Sequence, residues 1–348
     1  TIHQKILGMH TRLLNSLALL KTLDTTRVKN AFHIWNSFRK AKSGKPPLIE
    51  GLPISISFEP TTSCNLRCPE CPSGLRSFTR PTGMLAVELF KKTIDTMAHH
   101  LQYLTFYFQG EPYLHHQFLE MVSYASTKNI YTATSTNAHY LKEKSAEATV
   151  QSGLSKLIIS IDGTTQDTYQ SYRIGGSLEK VIEGTKAIVK AKRELKSKTP
   201  YIVFQFLVVK PNEHQIPEVY KLAKELGVDE VKLKSAQIYD FENGSPLIPE
   251  QEKYARYRLG KDGRYQIKNQ FDNNCWKMWH SCVITWDGKV LPCCFDKDAQ
   301  YSMGNLQEQS FEEIWYGEKY QQFRKTLFTN RKEIEICKNC TEGTQVWV

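Results

Sequence analysis

Six times between residues 54 and 238, a short apolar, β-branched or aromatic run gives way to a longer stretch of helical period. The short runs fall at 54–58, 103–108, 130–134, 156–161, 201–208 and 230–234, and the helical patterns between them include 87–97, 118–126, 178–195 and 216–226. Alternation of this kind predicts parallel strands joined by right-handed helical crossovers. Eight such units would need about 250 residues, more than this stretch holds. The chain therefore reads as α/β, a partial (β/α)6 TIM-like barrel, in which ligands gather beyond the carboxyl ends of the strands.

Residues 1–47 read as a basic helical extension. Ile6, Met9, Leu13, Leu17 and Leu20 recur at helical spacing, as do Val28, Phe32, Trp35 and Phe38, with Asp24 or Thr25 placed to cap the second helix. Within the first 50 residues nine Lys and Arg face only Asp24 and Glu50, so most of the net charge of +10 belongs to this segment. A general nucleic-acid surface is not indicated. The extension either packs on the main domain or, as a basic amphipathic segment, meets an anionic membrane or an acidic partner. The barrel occupies 48–238, residues 239–269 read as a linker or lid, and 270–348 as a small cysteine-rich domain. No apolar run approaches the ~20 residues that span a bilayer.

The nine cysteines are clustered: three at 64–71, six after residue 270 and none between. Disulfide scaffolds belong to small domains that lack a core, whereas this chain can build a large one. Metal ligation in a reducing cytoplasm is the expected use. Cys64, Cys68 and Cys71 follow the first strand at C-x3-C-x2-C spacing. Three thiolates in one loop can hold three irons of a cubic cluster and leave the fourth open to a substrate or cosubstrate. Structural zinc takes four protein ligands, commonly from C-x2-C pairs, and suits this loop poorly.

On these residues the chain resembles radical S-adenosylmethionine (SAM) enzymes, whose signature is C-x3-C-x2-C after the first strand of a partial barrel. The resemblance implies a [4Fe–4S] cluster whose open iron binds SAM, reductive cleavage of SAM to a 5′-deoxyadenosyl radical, and hydrogen abstraction from a substrate. It extends to Gln109-Gly110-Glu111-Pro112 at the second strand end, where the family usually has Gly-Gly-Glu-Pro. It extends also to Ser160-Ile161-Asp162-Gly163 at the fourth. By resemblance, Gly110, Glu111 and Pro112 hold the SAM ammonium, Ser160 and Asp162 the ribose or carboxyl end, and Arg173 the carboxylate. Glu70 stands where many members carry an aromatic residue beside adenine, so Phe78 or Val231 is expected to cover that base. The family's glycine-rich fifth-strand motif is absent.

The later cysteines resemble a SPASM-type auxiliary-cluster domain. Cys275, then Gly288 five residues before Cys293, then Cys337-x2-Cys340 would fully ligate a second [4Fe–4S] cluster. Cys282 or Cys294 is a possible substitute within that set, and zinc competes more strongly here than at the first loop. The implied chemistry is oxidation of a small polar or sugar-like substrate, with the auxiliary cluster accepting an electron and a flavodoxin or ferredoxin supplying the first. Such a reaction needs a base. His139, Lys234, Tyr239 and Asp240 are candidates by their place near strand ends. Maturation of a ribosomally made peptide by cross-linking or epimerisation is the alternative, and a non-catalytic iron–sulfur carrier the alternative of another class. A cytoplasmic location is expected, with a membrane-peripheral one open.

Overall fold

The computed structural model describes residues 12–268 and 272–340; Ile6 and Met9 lie outside them. Six parallel strands, β1 (Ser55–Phe58), β2 (Tyr103–Thr105), β3 (Tyr131–Thr136), β4 (Lys156–Ser160), β5 (Tyr201–Val208) and β6 (Glu230–Ser235), pair in chain order. Each face alternates as a pleated strand requires. The outward residues Phe58, Leu104, Ile159, Phe204 and Phe206 are fully buried against the crossover helices. Those helices include Val87–Met97, Phe118–Thr127, Leu178–Glu194 and Ile216–Leu226. Gly227 (φ +78°) closes the last of them in the left-handed region, where glycine pays no steric penalty. Phe58, Phe90, Phe106 and Phe118 meet edge-on or tilted at 5.1–5.7 Å and form the aromatic centre of the core. The expected partial barrel is present.

Three findings refine these expectations. The cysteine-rich segment joins the barrel, because its strands extend the same sheet. β7 (Tyr257–Leu259) and β8 (Tyr265–Ile267) form a separate hairpin, but β9 (Ser281–Ile284) pairs parallel with β1. From β9 the sheet continues antiparallel through β10 (Lys289–Leu291) to β11 (Gly304–Asn305). Second, the segment 239–269, expected as a linker or lid, is packed in place. Ile238, Ile248, Ala255 and Tyr257 pack with Leu66, Cys68 and Tyr172. The Tyr257 hydroxyl donates to Asn339 Oδ1 at 2.8 Å, and so ties the segment to the chain beside Cys340. Third, the second strand ends at Thr105 rather than near 108. Gly110 (φ +76°) turns the chain there, and Tyr107 and Phe108 leave the ladder to line a cavity.

Helix α1 (Thr25–Lys42) is capped by Asp24, whose Oδ1 accepts from Arg27 N at 2.9 Å. It rests on the end of the chain: Phe38 meets Trp276, Trp279 and Phe328, and Trp279 Nε1 donates to Ser37 Oγ at 3.0 Å. Val28, Phe32 and Trp35 are exposed, contrary to a simple apolar docking face.

Candidate functional site

The loop after β1 carries Cys64, Cys68 and Cys71 into a cavity of about 170 Å³ at the carboxyl ends of the strands. Two glycines give the loop its shape. A Cβ on Gly74 would stand 2.5 Å from Cys68 N, and one on Gly110 would stand 2.1 Å from Thr61 O. Gly110 N donates to Ser73 Oγ at 2.9 Å. Burial pushes the Cys64 thiol up to about 11 and raises Cys68 as well, the latter opposed by the Arg173 charge. Buried thiols of this kind become thiolates when a cation takes the proton's place. Among the described residues no three His, Cys, Asp or Glu side chains converge on a point that would hold a lone metal ion. The three sulfurs instead border a shared space. An all-sulfur donor set around a cavity fits an iron–sulfur cluster.

The remaining wall comes from strand ends. Glu111 is buried, and three donors hold its carboxylate: Thr136 Oγ1 at 2.8 Å, Asn137 N at 2.8 Å and Tyr113 N at 3.2 Å. Burial raises its pKa against those bonds. A further lone-pair site is left for a cation in the cavity. Pro112 starts the turn that follows. Asn137 Nδ2 donates to Asn65 Oδ1 at 2.8 Å and fixes the cysteine loop against β3. Ser135 and Ser160 place hydroxyls 3.4 Å apart on the same wall.

Arg173 ends the helix Gln166–Tyr172. Its Nε donates to Asp162 Oδ2 at 2.5 Å, and Nη1 approaches Cys68 Sγ at 3.7 Å. Burial opposes the guanidinium charge, but Asp162 and Cys68 outweigh it. Asp162 is fully buried and also accepts from Leu207 N at 2.7 Å. It orients Arg173 and does not face the cavity. Neither Phe78 nor Val231 lines the space; Tyr107, Phe108, Leu66 and Leu207 do. Thr136 and Asn137, absent from the sequence reading, are carried by the polar end of β3, Ser135-Thr136-Asn137.

Of the candidate bases, His139 has both ring nitrogens engaged. Nδ1 meets Asn137 O, and Nε2 accepts from Ser177 N, each at 2.9 Å. Its ring braces the loop after β3. Lys234 is exposed on β6 and borders a different cavity with Lys232 and Tyr220. Asp240 is exposed and accepts from Asn243 at 3.4 Å. Tyr239 is better placed. Its N donates to Glu70 Oε2 at 2.9 Å, and its hydroxyl accepts from Lys297 Nζ at 2.9 Å. Sequence reasoning missed Lys297, which follows Cys294 in a polar stretch without period. Burial lowers its pKa, partly offset by the charges of Cys71 and Cys294. Lys297 thus lies within electrostatic reach of both cysteine sets.

In the second set, Cys275 and Cys340 are buried, while Cys293, Cys294 and Cys337 are half-buried. Arg331 Nη2 donates to Cys340 Sγ at 3.6 Å, and Nη1 to Asn274 O at 3.0 Å. Cys293 is raised by its hydrogen bond with Cys294 and by burial, and feels Cys340 and Cys275. Cys337 is raised by burial, against Arg331, and feels Cys275. Cys275, Cys293, Cys294, Cys337 and Cys340 therefore share one electrostatic neighbourhood. Cys282 sits in β9, in the same hydrophobic core as Cys275, but burial and Arg324, with no other cysteine, set its pKa. Two ties fix this set against the first. Arg80 forms a bidentate pair with buried Glu59 at 2.9 and 2.5 Å, and Glu59 also accepts from Trp286 N at 3.3 Å. Asp298 accepts from Thr79 N at 2.9 Å.

The family model of the radical SAM superfamily matches residues 58–223, and that of SPASM, an iron–sulfur cluster-binding domain, matches 275–341. The chain is 28% identical to the tungsten-containing aldehyde ferredoxin oxidoreductase cofactor-modifying protein of Pyrococcus furiosus, covering 82% of this chain and 86% of that protein. It is 26% identical to the PqqA peptide cyclase of Gluconobacter oxydans, covering 85% and 84%. The crystal structure of Streptococcus suis SuiB bound to S-adenosylmethionine shares the fold at a TM-score of 0.60 and 14% identity, covering 88% of this chain and 78% of that one.

Proposed function

Since the chain belongs to the radical SAM superfamily and ends in a SPASM iron–sulfur domain, we propose that it oxidises a small polar or sugar-like substrate between the two cysteine sets. The non-catalytic carrier is set aside by that membership. The observation that carries the proposal is the Lys297–Tyr239 contact at 2.9 Å, where Lys297 feels the charges of both Cys71 and Cys294.

When bound, the first cluster and SAM supply hydrogen abstraction, and the auxiliary cluster a place for the remaining electron. Cys64, Cys68 and Cys71 hold the first cluster; Cys275, Cys293, Cys337 and Cys340 hold the second. Glu111 takes the SAM ammonium and Arg173 its carboxylate, a charge-assisted pairing suited to the guanidinium. Ser160 and Ser135 offer hydroxyls to the ribose, and Tyr107 and Phe108 offer rings to the adenine. Gly110 lets the backbone approach closely. Lys297 Nζ takes the proton that the substrate must lose, and the Tyr239 hydroxyl keeps that nitrogen in position. Burial favours the neutral amine that this role needs. The first electron comes from a flavodoxin or ferredoxin in the cytoplasm.

Modification of a ribosomally made peptide is the second reading, supported by the similarity to PqqA peptide cyclase. Reduced holoenzyme with SAM, offered the small-molecule and peptide fractions of a cell extract separately, tests both. The first reading expects an oxidised product from the small-molecule fraction alone. It also expects Lys297→Met to abolish that product while SAM cleavage continues. A modified peptide, or an oxidised product undiminished in Lys297→Met, would count against it.

A further inference from the structure

Helix α1 is docked inside out. Its buried face carries Arg27, Asn30 and Ser37 beside Ile34 and Ala41. Arg27 donates to the main-domain carbonyls of Asn129, Ala98 and Lys128 at 2.6–3.0 Å, and to that of Thr22, just before the helix, at 2.5 Å. Asn30 exchanges two bonds with the Leu52 backbone at 2.7 and 2.9 Å. This anchorage fixes which way the helix faces.

The face turned to solvent is apolar. Val28, Phe32 and Trp35, at helical spacing, are 51%, 58% and 44% exposed. Leu13, Leu17 and Leu20, on the helical stretch 12–20, are 57%, 41% and 57% exposed. Of eighteen large hydrophobics exposed among the described residues, eight fall within 13–35. That concentration exceeds the single scattered side chains that need no explanation. An amphipathic helix ordinarily turns such a stripe inward, so the outward stripe implies an apolar surface that covers it.

The charges identify that surface. Lys21, Lys29, Arg39, Lys40, Lys42 and Lys45 belong to the same segment and all reach the surface, and Arg39 lies 4.7 Å over the Trp35 ring. Asp24 is spent as the cap of α1, and Glu50 pairs with Lys40 at 2.6 Å. Aromatic rings among apolar residues, with Lys and Arg in the same segment, suit the interface of an anionic bilayer. No described helix is long and apolar enough to cross a membrane. We propose that Leu13, Leu17, Leu20, Val28, Phe32 and Trp35 seat this chain on an anionic lipid surface, with the exposed Lys21, Lys29, Arg39, Lys42 and Lys45 against the headgroups. This rests on residues 12–45 alone and is independent of the substrate.

The test is co-sedimentation of the anaerobic full-chain holoenzyme with phosphatidylcholine vesicles containing increasing phosphatidylglycerol. Binding should rise with phosphatidylglycerol and weaken in high salt. It should fall at least about tenfold in the double variant Phe32→Ser, Trp35→Ser, whose iron content and SAM cleavage stay at wild-type level because neither residue touches the site. A Lys42→Glu, Lys45→Glu variant, which leaves the stripe intact, should lose the phosphatidylglycerol dependence. Three results would overturn the proposal. The wild type could stay in the supernatant at every composition. The double variant could sediment like the wild type. Or the wild type could run as a dimer that the double variant breaks, without binding vesicles.

Discussion

Arg173 binds Asp162 through Nε at 2.5 Å while its Nη1 reaches to within 3.7 Å of Cys68. A buried carboxylate thus aims a guanidinium at the mouth of the cysteine loop. Asp162→Asn should keep the side chain's shape and remove the charge that aims Arg173. A lost charge-assisted bond is worth about 1.5–3 kcal/mol, or roughly ten- to a hundredfold in affinity. Equilibrium SAM binding should weaken by that factor while the iron content stays at wild-type level. Unchanged SAM affinity would detach Arg173 from SAM.

The cysteine assignments predict a pattern of iron contents. Anaerobically reconstituted protein should hold about eight irons. Cys68→Ala should leave about four, as should Cys340→Ala, each with loss of a different electron paramagnetic resonance signal. Cys282→Ala, in the core position on β9, should keep all of them and lower stability by about 1 kcal/mol. Iron lost from the Cys282 variant would move that thiol into the auxiliary set.

His139 supplies a pH signature of structure rather than catalysis. Burial lowers its pKa, and Nε2 accepts from Ser177 N. Protonation would turn that acceptor into a donor facing an N–H. A base whose folded pKa is depressed contributes stability above its unfolded value near 6.5, and this is lost as the pH falls through the folded value. Denaturation of wild type should therefore show an acid-side loss of stability that is shallower in His139→Gln. The variant should be destabilised by about 1 kcal/mol at neutral pH and keep its activity. Abolished turnover at unchanged stability would instead make His139 the base.

Gly110→Ala would drive a methyl group toward Thr61 O from a left-handed backbone. The strain should cost about 1–3 kcal/mol and displace Glu111 from its three donors. Thermal unfolding and SAM titration should both register the change. A variant with wild-type SAM affinity would show that the turn does not set the position of Glu111.

The sequence exposed the barrel where side-chain period was strong. The strand Tyr201–Val208 and the helices Val87–Met97 and Ile216–Leu226 match their expected limits residue for residue. The cysteine loop was legible because spacing alone constrains ligation. Position in space was not. Tyr257 shares a buried cluster with Cys68, but a polar, glycine-containing stretch conceals that burial. Lys297 meets Tyr239 across 58 residues of sequence, a contact no local pattern encodes. The outward face of α1 was hidden for the opposite reason: its period is clear, but three main-domain carbonyls that bind Arg27 reverse the side that docks.

The central claim is that Cys64, Cys68, Cys71, Glu111 and Arg173 form a site that holds SAM for reductive cleavage. Reconstituted protein reduced with dithionite or flavodoxin should convert SAM to 5′-deoxyadenosine. Cys68→Ala should make none, and Asp162→Asn should do so only at higher SAM concentration. Absence of 5′-deoxyadenosine from wild type with both clusters intact would contradict the account.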